Sequence, residues 1–280
     1  MRIVIVGSSS GVGSKLFAAF SHRASVTMAG RSNLLCVDLS SPHSEINLPE
    51  KTDVVINCAA AFDFQDLAAS IDSAEVNVLG PLRLLEASAR VGAQHFIQVS
   101  SIFASMPHND VVNSPYAIQK RTADELLHSW GNSTGTLVTS LRASALYGQG
   151  GFQRLHQPFL DSIINNAAEG RDIVFGGRHD ALRNYLHIDD FTSIVWETVS
   201  HRVAGIYDCP GTTFSYSQVA WSAVSAFGTG SAISFDLSKD SHEDKVPLID
   251  DSLYRRLRFS PKIDLDQAMR IDAASRIAAK

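Results

Sequence analysis

A chain of 280 residues, 45% hydrophobic and 19% charged, is long enough to bury a full core and lies far from the composition of a disordered protein. Its net charge of −5 gives no overall attraction to nucleic acid or to an anionic membrane, so neither is an expected partner. Cys36, Cys58 and Cys209 stand apart with no CxxC or Cys/His ligand spacing, and the apolar run 3–6 meets Gly7 too soon for a signal segment or a membrane span; a reducing cytoplasm is the expected location.

In chain order, short apolar runs at 2–6, 25–29, 53–57, 95–100 and 136–142 read as buried parallel strands, and helical patterns occupy 13–21, 74–91 and 115–130. This βαβ rhythm predicts an α/β fold on a doubly wound parallel sheet. Right-handed crossovers then bring the strand C-termini to one edge, outside which ligands bind. After about Gly148 the rhythm gives way to Gly-rich and mixed segments at 148–151, 170–177 and 228–230, which predicts a smaller C-terminal lobe. The expected division is a first domain over 1–148, rejoined by 183–207, and a lobe made of 149–182 and 208–280.

The first strand runs into Gly7-Ser8-Ser9-Ser10-Gly11-Val12-Gly13 and then a helix. Glycines let the backbone turn sharply and approach a pyrophosphate, while the helix N-terminus offers unpaired N–H groups and a favourable dipole. The alternative is an ordinary strand-to-helix turn. At the end of the second strand, Met28-Ala29-Gly30-Arg31-Ser32, no acid stands where a carboxylate would hydrogen-bond the ribose 2′-OH and repel a 2′-phosphate. Arg31 can clamp that phosphate with Ser32 as a further donor, which predicts NADP(H), with NAD the alternative if Arg31 is a solvated loop charge. Asp38, followed by Leu39, either meets the adenine edge or caps its own loop.

Pro115 opens a helix on which Tyr116 and Lys120 stand four residues apart and share a face. A phenol titrating near about 10 is a poor base at neutral pH, but a nearby ammonium stabilises the phenolate and lowers that value. Lysine can also hold a nicotinamide ribose. Such a pair is often only a helix surface; what gives it chemistry is the strand ending in Ser100-Ser101 shortly before it, because a hydroxyl there can bond the same substrate oxygen that Tyr116 protonates.

These segments, in order, resemble the extended short-chain dehydrogenase/reductase family, the NAD(P)-dependent nucleotide-sugar epimerases, dehydratases and reductases. The likeness runs nearly end to end, through the glycine loop, Asp53-Val54-Val55-Ile56-Asn57-Cys58-Ala59-Ala60, Asn77-Val78-Leu79-Gly80, Leu84-Leu85-Glu86-Ala87, Val99-Ser100-Ser101, Tyr116 to Lys120, Leu141-Arg142 with Tyr147-Gly148, and Arg183-Asn184-Tyr185-Leu186-His187-Ile188-Asp189-Asp190. The resemblance implies a Rossmann-like domain holding the dinucleotide, a smaller substrate lobe for a nucleotide-sugar, a Ser101/Tyr116/Lys120 site and, at Arg183, a phosphate-binding arginine. The cofactor set it implies is Gly7, Ser9, Ser10, Gly11, Val12, Gly13, Arg31, Ser32, Asp38, Leu39, Cys58, Ala59, Ala60, Asn77, Tyr116 and Lys120, and the substrate set is Ser101 and Arg183. Asn57 and Asn77 also read as structural side chains. The family commonly dimerises through two helices per subunit, so a homodimer through 74–91 and 115–130 is possible.

Several positions depart from the family pattern. Ser10 stands at the usual middle glycine, Gly11 restoring the spacing of the shorter reductases, and the tract between Ser101 and Tyr116 is short. Ile102 and Phe103 fill the places where 4,6-dehydratases carry an Asp-Glu pair, which disfavours elimination of water. Ala145 replaces an asparagine found near the diphosphate, and the segment around His242 and Lys245 lacks an expected arginine, although either residue could substitute. Ten histidines show no ligand spacing, so no metal is expected; His187 packs or orients the Asp189/Asp190 turn, and those aspartates cap a helix. The expected function is an NADP(H)-dependent reductase of a keto group on a nucleotide-sugar or related small molecule. An NAD(P)-dependent epimerase using the same residues is the first alternative, and a non-catalytic dinucleotide-binding sensor the second.

Overall fold

A computed structural model describes residues 1–106, 114–149, 152, 154 and 157–278. Part of the expected Gly-rich stretch 148–151 (residues 150 and 151) and most of the tract before Tyr116 (residues 107–113) lie outside the described residues. The chain begins with β1 (Arg2–Val6), α1 (Gly11–Phe20), β2 (Ser25–Ala29), β3 (Val54–Asn57) and α2 (Leu67–Ala74), which passes through a π-helical turn (Glu75–Leu79) into α3 (Gly80–Arg90). It continues with β4 (His95–Ser101), a 3₁₀ turn (Ile102–Ala104), α4 (Pro115–Thr134), β5 (Leu137–Ala143), β6 (Ala145–Tyr147), α5 (Pro158–Ala168), β7 (Ile173–Gly176) and β8 (Leu182–His187). The remaining elements are α6 (Ile188–Ser200), β9 (Gly205–Cys209), β10 (Thr212–Ser215), α7 (Tyr216–Phe227), β11 (Ile233–Asp236), α8 (Ser252–Leu257) and α9 (Leu265–Ala278).

Two compact units result. The first comprises 1–143, 192–209 and 250–259, and the second 144–191, 210–249 and 260–280. The first unit holds a six-stranded sheet in the order β2-β1-β3-β4-β5-β9, parallel at every pairing, as the βαβ rhythm predicts. Segment 183–191, expected with this unit, belongs to the second because β8 pairs with β10 and β6; segment 250–259, expected in the lobe, belongs to the first. Val4, Val6, Val55, Phe96, Leu84 and Leu127 share one core cluster here. A fully buried side chain of this size contributes about 1.5–3 kcal/mol, which is why such continuous apolar runs settle as central strands.

Local signals fix the helix ends. Ser10 caps α1 by accepting from Gly13 N at 2.9 Å; Ser114 caps α4 at 3.2 Å with Pro115 in its first turn, and Gly135, at φ 71°, ends it. The helix expected over 74–91 is instead the π turn followed by α3, continuous at its start with α2, and buried Asn77 falls within the π turn. In the second unit, β10-β8-β6 and β11-β7 form small sheets over a core that includes Leu160, Ile163, Phe175, Val219 and Met269. No helix among the described residues is long and apolar enough to cross a membrane.

At the N-terminal end of β4, His95 is buried, its Nε2 2.7 Å from Thr139 Oγ1, and Thr139 in turn donates to the Val203 carbonyl. Burial, reinforced by the Arg202 charge, pulls the imidazole from 6.5 down to about 4. A folded-state value below the unfolded one gives stability that is complete above the unfolded value and is lost as the pH falls toward 4. The unfolding free energy, read from urea titrations, is therefore expected to drop between pH 6.5 and 4 by an amount reaching about 3 kcal/mol, and to drop less in His95→Gln; equal pH dependence in the two proteins contradicts this reading.

Candidate active site

The parallel register brings the ends of β1, β3 and β4 to one edge: Val6 pairs with Asn57, and Asn57 with Gln98. At β1 the glycine loop is shaped by its own packing. Gly7 lies at φ 92°, and a Cβ there would sit 2.6 Å from Ala59 N; a Cβ on Gly13 would sit 2.5 Å from the Gly7 carbonyl oxygen. Glycine at these two positions lets α1 press its N-terminus against the strand ends. Ser10, the departure from the family pattern, spends its hydroxyl on the helix cap, whereas the first-turn N–H groups of Gly11 and Val12 have no acceptor within the helix. Ser9 is exposed, and Ser8 Oγ bonds the Asn33 side chain, tying this loop to the one after β2, a link the sequence reading did not find.

Beyond β2, Arg31 and Ser32 are exposed on that loop. Asp38 Oδ1 accepts from Ser40 N at 2.9 Å and Ser40 Oγ at 2.6 Å, the loop-capping arrangement; these bonds, with the Arg31 and Arg83 charges nearby, hold its carboxyl below the usual range. Leu39 is buried, and its carbonyl takes a 2.8 Å bond from Arg83, which sequence reasoning overlooked. After β3, Cys58 is buried and its thiol is pushed up to about 12 by that burial, with Ala59 and Ala60 half-buried beside it. Asn57 bonds Gln98 at 2.9 Å and caps Ala59 N at 3.1 Å. Asn77 accepts from Ala61 N and donates to the Ala61 carbonyl, both at 2.9 Å, and donates to Gln119 at 2.8 Å. Its amide is engaged with protein groups, so it pins the β3 loop to α4, the structural alternative for this residue.

Tyr116, Lys120 and Ser101 come together in the first unit. Ser101 Oγ accepts from Phe103 N at 3.3 Å, and its hydroxyl faces the Tyr116 phenol. Lys120, 1% exposed, donates from Nζ to the Val99 carbonyl at 3.1 Å, 5.8 Å from the Tyr116 ring centroid. Phe62 stacks on Tyr116 with centroids 4.8 Å apart and Phe64 meets it edge-on at 6.2 Å, an aromatic cover that the sequence pattern did not announce. Burial lowers Lys120 to about 8, against the Asp124 charge that raises it. The phenol differs from the sequence expectation: burial, with the Asp124 carboxylate second, drives Tyr116 upward, and the nearby Ser101 hydroxyl only partly opposes this. The ammonium rests on a carbonyl here, so desolvation of the phenolate outweighs its attraction.

In the second unit, Arg183 donates to the Leu182 carbonyl at 2.8 Å and to the Glu243 carbonyl, and its guanidinium lies 5.1 Å from the Tyr216 ring centroid. His242 packs against Phe159 and Tyr216, with centroids at 4.6 and 5.5 Å. His187 Nδ1 accepts from Asp189 N at 3.2 Å, the orienting role expected of it. Asp190 differs from the expected cap: it accepts from Lys262 N and Ile263 N at 3.0 Å and so holds the chain ahead of α9. No group of three or more His, Cys, Asp or Glu among the described residues is arranged to hold a metal ion.

A nicotinamide dinucleotide fits the first unit on two observations. Glycine packing sets the α1 N-terminus, whose first N–H groups have no acceptor within the helix, close to the strand ends, and a buried lysine and a tyrosine stand on α4 beside the end of β4. Comparison with known proteins agrees with this chemistry: the profile of the NAD dependent epimerase/dehydratase family matches residues 3–209.

The chain belongs to the NAD dependent epimerase/dehydratase family.

Within this family, a dTDP-glucose 4,6-dehydratase of Mycolicibacterium smegmatis is 26% identical over 201 residues, covering 67% of this chain and 59% of the relative. The dTDP-glucose 4,6-dehydratase 1 of Escherichia coli K12 is 24% identical over 159 residues, covering 47% and 43%. The chain thus spans about half the length of the curated relatives it matches. Among solved structures, a Thermotoga maritima UDP-glucose 4-epimerase with UDP-glucose superposes at TM-score 0.79 with 17% identity and full coverage of both chains. RMD from Pseudomonas aeruginosa complexed with NADPH gives 0.80 with 21% identity, covering 100% of this chain and 99% of that one. These structural likenesses are of fold and bear out the Rossmann-like sheet, while the family match bears out the extended short-chain dehydrogenase/reductase resemblance.

The glycine packing yields a direct test. Gly7→Ala adds a side chain at positive φ and a contact with the Ala59 backbone, so it is expected to lower unfolding stability by about 2 kcal/mol or more, read from the urea midpoint. An unchanged midpoint contradicts the close approach of β1 to the β3 loop.

Proposed function

We propose that the chain is an NADP(H)-dependent reductase acting on a keto group of a nucleotide-sugar or a related substrate. The observation that carries this reading is the convergence of Ser101, Tyr116 and a buried Lys120 at the C-terminal end of β4. In its support, relatives in the family are named dTDP-glucose 4,6-dehydratases, and one structure of the same fold holds NADPH. Gly7, Gly11, Val12 and Gly13 would hold the pyrophosphate, Arg31 and Ser32 a 2′-phosphate, and Lys120 the nicotinamide ribose.

The cofactor, when bound, supplies the hydride that reaches the carbonyl carbon. Tyr116 gives its phenolic proton to the carbonyl oxygen, and Ser101 hydrogen-bonds that oxygen and orients it. Burial that keeps Tyr116 protonated suits it to donation, the direction of reduction. Lys120 then offers an ammonium beside the phenolate that donation leaves behind. Ile102 and Phe103, which follow Ser101, carry no acid or base, so the residues needed to eliminate water are lacking even though close relatives bear dehydratase names. Arg183 is assigned the nucleotide phosphates.

NADPH absorbance in the presence of a 4-keto-6-deoxy sugar nucleotide tests this reading. Consumption of NADPH well ahead of NADH, abolished in Tyr116→Phe and shifted toward NADH in Arg31→Ala, is the expected result. Absence of turnover across such substrates overturns it, and interconversion of sugar epimers with no net loss of NADPH indicates an epimerase instead.

A further inference from the structure

Asp124 lies on α4 one turn beyond Lys120 and is fully buried, a carboxylate that the proton transfers described above do not use. Its Oδ2 accepts from Ser100 Oγ at 2.9 Å and from Arg142 Nε at 2.7 Å. Oδ1 has no hydrogen bond of ordinary geometry among the described residues, and the Ser140 hydroxyl on β5 also faces the carboxyl group. A buried ion pair adds little net stability, since the cost of stripping water from both charges offsets their attraction, and apolar side chains of similar volume fill such a place as well or better. The Arg142 pair alone therefore leaves the acid unexplained. Two neighbours give it a use: Lys120 precedes it by four residues and so shares its helix face, and Ser100, which it binds, immediately precedes Ser101 in β4.

We propose that Asp124 is a positioning residue for the Ser101/Tyr116/Lys120 site: its buried carboxylate holds the neighbouring Lys120 nitrogen as a cation out of water and, through Ser100, fixes the strand end that carries Ser101. The use of that cation in proton transfer rests on the function proposed above; the coupling between Asp124 and Lys120 does not.

The charged and titratable groups facing Asp124 are Arg142 from β5, Asp208 from β9, and Lys120 and Tyr116 from its own helix, while Cys58 faces Lys120 from β3. Burial alone drives Lys120 down, and the Asp124 carboxylate is the largest influence opposing it. The same carboxylate pushes Tyr116 up, so one group favours the protonated form of both partners. Replacing it with an amide removes an anion and leaves the Arg142 guanidinium uncompensated. Both changes act against the ammonium.

Titration of the Lys120 side chain by NMR in the full, cofactor-free chain tests the proposal. The wild-type midpoint is expected at about 8. In Asp124→Asn it is expected to fall by about one pH unit or more, and Asp124→Glu, which keeps the charge, is expected to restore it. A midpoint unmoved in Asp124→Asn, or lowered equally in Asp124→Glu, overturns the proposal. Should Asp124→Asn not fold, the double variant Asp124→Leu with Arg142→Met removes the pair without leaving a lone charge and is expected to show a smaller fall in the same direction, from the lost anion alone; an unmoved midpoint there overturns it as well. Absence of turnover with keto-sugar nucleotides would count against the proposed function and leave this titration untouched.

Discussion

Taking the Lys120 ammonium out of water is the demand around which the first unit is arranged. An isolated buried charge would cost several kcal/mol, and the group would lose its proton instead unless acceptors were fixed beside it. The Val99 carbonyl of β4 accepts from the ammonium, and the charge of the Asp124 carboxylate on the next turn of α4 favours it without a direct hydrogen bond. Asp124 is itself held by Ser100 and Arg142, so the last residues of β4 and β5 and the first turns of α4 have one mutually consistent placement. Arg121 adds to it by donating to the Ala104 carbonyl at 2.7 Å and the Met106 carbonyl at 2.9 Å, which ties the 3₁₀ turn after Ser101 to the same helix.

This arrangement sets what the tyrosine can do. Tyr116, half-buried, lies against Phe62 and Phe64 and keeps its proton more firmly than a free phenol. A group of that kind is a donor first. In the proposed reduction, the ammonium would matter after the proton has left, when it would face a phenolate in a medium that screens poorly. Asp208 on β9 is raised to about 6 by burial, partly opposed by the Ser105 hydroxyl and the Arg142 charge.

Much of the site was legible because its signals are local. The i, i+4 spacing of Tyr116 and Lys120, the serine at a strand end, the glycines of the first turn and the Pro115 helix start all follow from periodicity and backbone chemistry that neighbouring residues fix. Contacts between distant segments were hidden. Nothing in the spacing of Asn77 announces that its amide closes on Ala61 and Gln119, or that a π turn is needed to aim it. Phe62 and Phe64 read as loop residues until α4 is packed beneath them. The direction of the Tyr116 shift was misjudged for the same reason: the sequence shows the nearby lysine, whereas burial is a property of the assembled fold. Segment 183–191 lies in the second unit because β8 pairs with strands distant in sequence, and 250–259 lies in the first because α8 packs against β9; no window of sequence displays either contact.

Glycine packing at β1, an arginine beyond β2 and a hydroxyl, phenol and ammonium beyond β4 all lie along one edge of a parallel sheet, and the account stands on one ligand using all three. A crystal structure of the full chain with bound NADPH tests that most directly. The account predicts the pyrophosphate on the N–H groups of Gly11 and Val12, the 2′-phosphate at Arg31 and the nicotinamide beside Tyr116 and Lys120. A dinucleotide bound away from the β1 glycine turn, or one whose nicotinamide lies remote from Tyr116, would contradict it.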